Sequence, residues 1–373
     1  MFIDWFDPGY KAGGPIRSAV NFVRHMQHDY NLYVFTGDRD LDALSPYENV
    51  QLNEWVTYDE RVKVFYCPRH LLGMGIIKKV IEDLNPSSIY LNGMFSRYFT
   101  IYPCIVSLKT GRKIDVVLVP HGMLRVSALQ YKSLKKRVYL NLFKLLGFSK
   151  RITFQATDST EYEDILKTFG KSTSVYLASN WPGYIPAYSG SIAKLPGELK
   201  IVFIGRLHRI KNLDYLIECL IHVKGNIELT VIGSEEDKTY VNHCRAIAVS
   251  CPENVQVNFA GEVDNGKIPG IIARHHLFSL PTQGENYGYA IFEALAGGKP
   301  VLISDQTPWQ DLQMAYAGWD LPLNEPQQFK NALQLAVDFG QSEYDKWSFG
   351  AWQYVSKAIN TSELREAYQK LFN

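Results

Sequence analysis

Few features pull this chain toward an extreme, and each missing one removes a class of protein. Cysteine is scarce: Cys67, Cys104, Cys219, Cys244 and Cys251 are scattered, with no paired C-x2-C spacing of a zinc or redox site. That usage fits a reduced, cytoplasmic protein. No apolar run reaches the eighteen or so residues of a spanning helix. Asp4 and Asp7 stand where a signal peptide would be basic and then apolar, so neither export nor membrane insertion is expected. The net charge is +1, which leaves no global field to draw the chain to nucleic acid. No G-x-G-x-x-G follows the first apolar run, which argues against a dinucleotide-binding dehydrogenase. No cluster of metal-ligand spacing is visible, and no metal site is expected.

What is present is alternation. At 373 residues the chain exceeds one ordinary core and suits two domains. Apolar, β-rich runs alternate with amphipathic segments, the pattern of an α/β protein with parallel sheets. Strands are predicted near residues 1–6, 31–36, 62–66, 88–92, 114–119, 152–156 and 173–177. A turn-rich segment over 180–197 breaks both periodicities and reads as a linker. The pattern restarts with strands at 200–204, 228–232, 255–259, 277–280 and 300–303, and helices near 347–359 and 363–372 follow. The first predicted strand is short and carries Asp4 in its middle: either the strand is short, or the chain's start lies a few residues upstream.

Residues 284–304 are the most informative stretch. A strand over 277–280 leads into a polar loop and then a helix over 288–296, whose Ile291, Phe292 and Leu295 share one face. Glu285 falls at the strand's carboxyl end and Glu293 in the helix's early turns, near backbone N–H groups that favour anions. Two solvated glutamates on a capped helix are the plain alternative. The strand at 200–204 similarly runs into Gly205, Arg206 and Lys211 before a helix with Asn212 as its cap. Cations flanking a helix start suit phosphate, and an exposed basic loop is the alternative. After the first strand, Gly13 and Gly14 precede Pro15 at a helix start, where a substrate could approach the backbone. His121 follows the strand at 114–119. Residues 129–151 set Lys132, Lys135, Lys136, Arg137, Lys144, Lys150 and Arg151 among apolar positions, a basic amphipathic helix. It is either a core helix with a solvated basic face or a surface for anionic lipid.

Glu285, Glu293, Arg206 and Lys211, with the glycine loop and His121, resemble the retaining glycosyltransferases of the GT-B architecture, family 4, also called glycosyl transferases group 1. The resemblance is strong over 200–304 and looser in the first half. It implies two facing Rossmann-like domains with a cleft between them: an acceptor domain over 1–180, a nucleotide-sugar domain over 196–355, and a C-terminal helix over 356–373 returning to the first.

By that resemblance Glu285, with the N–H groups of Asn286, Tyr287 and Gly288, would meet the donor sugar and diphosphate. Glu293 would hold the ribose hydroxyls, and Arg206 and Lys211 the leaving diphosphate. Gly13 and Gly14 would lie against phosphate and sugar, joined by Tyr10, Lys11 or Arg17, and His121 would position the sugar. Gly233, Gly261 to Val263 and Thr282 would frame the base and sugar.

The implied activity is metal-independent transfer from a UDP- or GDP-linked sugar, a co-substrate and not a cofactor, to a glycan or lipid-linked acceptor in surface-polysaccharide biosynthesis. Location would be cytoplasmic, with peripheral contact to the inner face of the plasma membrane through 129–151. A catalytically idle sugar-nucleotide-binding protein, or a GT-B epimerase or hydrolase, shares these motifs.

Overall fold

The computed structural model describes residues 1–125, 128–129 and 133–372. The chain divides into two compact units, one made of Met1–Trp181 with Asn360–Asn373, the other of Pro182–Ile359.

The first unit is built on eight strands: β1 (Phe2–Ile3), β2 (Leu32–Gly37), β3 (Trp55–Asp59), β4 (Val62–Cys67), β5 (Ser88–Asn92), β6 (Asp115–Val119), β7 (Thr153–Ala156) and β8 (Val175–Leu177). Their order is β3-β4-β2-β1-β5-β6-β7-β8. All pairings are parallel except that of β3, which runs antiparallel to β4 at the edge. A parallel sheet is covered on both faces, so its strands are apolar without alternation. In β6, Val116, Val117, Leu118 and Val119 are all buried.

Expected over residues 1–6, β1 holds only Phe2 and Ile3. The chain bends at Asp4, whose carboxylate accepts from Ser96 Oγ (2.9 Å), and Phe6 is buried again beyond it. Helix Thr361–Phe372 belongs to this unit: Tyr368 and Leu371 join Phe22, Tyr90 and Trp181 in one buried cluster. Tyr368 Oη donates to Ser179 O (3.1 Å), and Arg365 pairs with Asp29 (2.7 Å).

The basic segment is not one helix over 129–151. Helix Ser133–Leu145 ends before Gly147, which takes a left-handed φ of 72°, and a separate turn covers Phe148–Lys150. Tyr131 and Lys132 lie outside the described residues.

The second unit carries six parallel strands: β9 (Glu198–Ile204), β10 (Asn226–Ile232), β11 (Val255–Gly261), β12 (Leu277–Leu280), β13 (Val301–Ser304) and β14 (Gly318–Leu321). Their order, β11-β10-β9-β12-β13-β14, is the doubly wound order in which the first and fourth strands are neighbours. Helix Tyr289–Ala296 starts one residue later than expected and buries Ile291, Phe292 and Leu295 almost completely. Each such side chain contributes about 1.5–3 kcal/mol. Three together anchor the loop that precedes the helix.

Candidate functional site

In a doubly wound sheet, connections leave in opposite directions from the two strands where the order reverses, and this opens a crevice at their carboxyl ends. In the second unit those strands are β9 and β12. The loop after β9 carries Arg206 and Lys211, and the loop after β12 carries Glu285 to Gly288. The two loops meet: Lys211 Nζ pairs with Glu285 Oε1, and both side chains are mostly shielded. Arg206 Nη1 reaches Glu236 Oε2 (2.9 Å) with both groups about half exposed.

Backbone bonds hold the loops in this register. Thr282, fully buried, donates through Oγ1 to Ile210 O (3.0 Å), and Gln283 N donates to the same carbonyl (2.7 Å). Glu285 N donates to Gln306 O (3.1 Å), and Trp309 Nε1 to Tyr287 O (2.7 Å). Gly288 has φ 77°, and a Cβ there would lie 2.9 Å from Ile291 Cδ1, so glycine is required at the entry to helix Tyr289–Ala296. Glu293 is the helix's fifth residue and half-buried.

On the β9 side, Gly233 permits a close approach: a Cβ there would stand 1.8 Å from Gly205 O. Asn212 does not act as the expected side-chain cap. It precedes helix Leu213–Leu220 in a left-handed conformation (φ 60°) and makes no capping bond. The asparagine serves the turn out of the short helix Arg209–Lys211, where αL geometry is tolerated.

The first unit gathers a second polar group where β1, β5 and β6 end. Register places Ile3 beside Asn92, and Asn92 beside Val119. His121, two residues past β6, has φ 52°, and its Nε2 lies 3.1 Å from Asn92 Oδ1. The amide oxygen only accepts, so this contact is a hydrogen bond in the tautomer that carries the proton on Nε2. Burial pushes the imidazole down to about 4, leaving it neutral at physiological pH.

Glu161, completely buried, accepts from Gly122 N and from Thr157 N (2.8 Å) and Oγ1 (2.6 Å), which holds the turn that presents His121. Burial raises the Glu161 pKa, against the pull of those donors. Burial likewise pushes Asp4 up to about 6. Gly13 (φ 66°) caps helix Gly14–Met26, and neither glycine would set a Cβ against any atom within 4 Å. Asp40 Oδ2 pins the preceding turn by accepting from Tyr10 N (2.8 Å) and Lys11 N (3.1 Å).

Sequence reasoning missed Asp40, Asn92, Ser96 and Glu161. Only Glu161 carried a local signal, an acid three residues after the helix-capping Asp158. The expected residues thus fall into two sets: Arg206, Lys211, Glu285, Asn286, Tyr287, Gly288 and Glu293 in the second unit, and Gly13, Gly14 and His121 in the first. Among the described residues no group of three or more His, Cys, Asp or Glu side chains could hold a metal ion. None of their helices is long and apolar enough to cross a membrane.

Residues 198–338 match the family model of the glycosyl transferases group 1. A sucrose synthase of Melioribacter roseus is 25% identical over 183 residues, covering 43% of this chain and 23% of that protein. An uncharacterised glycosyltransferase of Methanocaldococcus jannaschii is 28% identical over 179 residues, 45% of either chain. The matches therefore span less than half the length of these curated relatives. Anabaena HepE, solved in complex with UDP-glucose, superposes with a TM-score of 0.71 over 98% of each chain at 16% identity, a likeness of fold. The second unit is thus similar to the glycosyl transferases group 1, and the chain shares the two-domain GT-B fold along nearly its whole length.

Proposed function

We propose that this protein is a retaining glycosyltransferase that moves a sugar from a nucleoside-diphosphate sugar to a hydroxyl of a glycan or lipid-linked acceptor. The observation that carries the reading is the meeting of Lys211 and Glu285 where the sheet order of the second unit reverses. Two residues far apart in sequence, each assigned to the donor by its own motif, share one position beside the start of helix Tyr289–Ala296. UDP is the first nucleotide to try, because HepE was solved with UDP-glucose.

In this proposal Glu293 accepts from the ribose hydroxyls and Glu285 from a sugar hydroxyl, while the N–H groups of Asn286, Tyr287 and Gly288 face the diphosphate. The bond between the anomeric carbon and the diphosphate oxygen breaks, and the acceptor oxygen bonds the same carbon on the same face. The acceptor's proton passes to the leaving phosphate. Arg206 and Lys211 offset the charge that develops there, and the proposal needs no metal or cofactor. His121, neutral, would position the sugar, and Gly13 and Gly14 would admit the diphosphate to the backbone. Surface-polysaccharide biosynthesis in the cytoplasm, with peripheral membrane contact through residues 129–151, is the context proposed by analogy.

Calorimetric titration with UDP, GDP, ADP and their common sugars, on wild type and Glu293→Ala, tests the donor assignment. One nucleotide should bind wild type and be lost in the variant. Folded wild-type protein that binds none of them would overturn the reading, and product analysis with the bound donor then separates transfer from hydrolysis or epimerisation.

A further inference from the structure

Helix Ser133–Leu145 turns Leu140 and Phe143 into the core, yet its opposite face is also apolar. Leu134 is 72% exposed, Val138 60%, Leu142 52% and Leu145 83%. Spaced by four, four and three, they form one stripe along the helix. Lys135 flanks the stripe on one side, Arg137 and Lys144 on the other. A solvated helix face would be polar, so an apolar stripe between cations calls for an apolar partner with an anionic surface.

Beyond the helix a cavity of about 340 Å³ opens between helix Tyr102–Lys109, the amino end of β6 and the turn Phe148–Lys150. Its floor includes the buried Cys104, Phe148 and Ile152, and Arg112, Lys113 and Arg151 stand exposed at its mouth. Arg112 Nη1 donates to Asn85 Oδ1 (2.5 Å), and among the described residues no carboxylate pairs with any of the three cations. Asp115 is the one acid in the lining.

Two residues, Leu146 and Gly147, separate Leu145 from Phe148, so the cavity begins within about 11 Å of the stripe's end. It lies at the opposite end of β6 from His121. Segments 108–115 and 133–151 hold nine Lys and Arg against Asp115, which makes this surface strongly positive in an otherwise balanced chain.

We propose that this surface docks on a bilayer rich in anionic phospholipid, with the stripe in the acyl boundary and the cavity taking one lipid headgroup, its phosphate between Arg112, Lys113 and Arg151. The proposal rests on the membrane contact of the preceding subsection and extends it from the helix to a headgroup site outside it. The lysine and arginine stems cover apolar surface while their charges reach phosphate.

The test is co-sedimentation with phosphatidylcholine vesicles with and without phosphatidylglycerol, using wild type, Leu134→Gln/Leu145→Gln and Lys113→Gln/Arg151→Gln. All four positions are exposed, so unchanged thermal unfolding serves as the folding control. Wild type should bind only the anionic vesicles, more weakly as salt rises. The stripe variant should lose binding by on the order of tenfold or more, and the cavity variant by about thirtyfold, from two cations near the surface.

A cavity variant that binds like wild type, while the stripe variant fails, would overturn the headgroup site and leave the helix contact standing. Wild type that ignores anionic vesicles would overturn both, without touching the donor assignment, which calorimetry reads separately. Binding of inorganic phosphate, lost in Lys113→Gln/Arg151→Gln, with no binding to vesicles would assign the cavity to a soluble anion and overturn the bilayer.

Discussion

Lys211 and Glu285, 74 positions apart, form an ion pair in which the two side chains are 14% and 15% exposed. A cation assigned to the donor's diphosphate is thus already neutralised by a carboxylate assigned to the donor's sugar. In the proposed function, an incoming diphosphate would compete with Glu285 for Lys211.

Two substitutions separate these roles. Glu285→Gln frees Lys211 and removes a negative charge from the approach of an anion, so UDP alone should bind several-fold more tightly while transfer falls. Lys211→Met removes a charge-assisted bond of roughly 1.5–3 kcal/mol, and UDP should bind about ten- to a hundredfold more weakly. Calorimetry with UDP reads both; equal weakening in both variants would mean that the pair acts only as a structural tie.

Arg206 offers a cleaner view of turnover. Its pair with Glu236 is half exposed and contributes at most about 1 kcal/mol to stability. Arg206→Ala should therefore leave thermal unfolding nearly unchanged, yet lower turnover on the order of a hundredfold by removing a donor to the developing charge. Turnover near that of wild type would remove Arg206 from the mechanism.

Gly233→Ala tests the packing beneath that arginine. The new methyl would lie 1.8 Å from the Gly205 carbonyl, backbone against backbone, at φ 154°. Neither strand can yield without breaking its register, so a loss of roughly 3 kcal/mol or more is expected from the strain and overpacking. Thermal unfolding and UDP affinity should fall together, because the displaced loop is the one that carries Arg206 and Lys211.

The first unit carries opposed pH dependences. Asp4 titrates near 6 when folded against 3.8 when unfolded, because burial disfavours its charge. The folded state therefore loses stability as pH rises through that window. Asp4→Asn should stabilise the protein on the order of 2 kcal/mol above the window and have no effect below it. His121 behaves oppositely: its folded value near 4 against 6.5 means stability is lost as pH falls between those values. Unfolding of wild type, Asp4→Asn and His121→Asn across both windows checks each sign.

Much of this arrangement was legible in the chain. Apolar runs such as residues 277–280 mark strands because a sheet covered on both faces tolerates only apolar side chains, and loops after such strands carry the ligands. Two edge strands escaped that reading. β3 is half exposed, with no continuous apolar run, and β14 has four residues beginning at Gly318, whose missing Cβ lets it pass against Val301. The polar partners of the first unit were illegible for another reason. Ser96 reaches Asp4 across 92 positions, and Asn92 reaches His121 across 29, with no spacing to announce either contact.

Sequence by itself determined that the chain is an α/β protein with donor-type motifs after β9 and β12, because strand hydrophobicity and loop chemistry are local properties. Tertiary structure alone decided that Lys211 closes on Glu285, that Asp4 and His121 are shifted by burial, and that Leu134, Val138, Leu142 and Leu145 stay outside the core. Charge pairing, desolvation and exposure depend on which distant segments share a volume. Strand order, and not spacing along the chain, sets that.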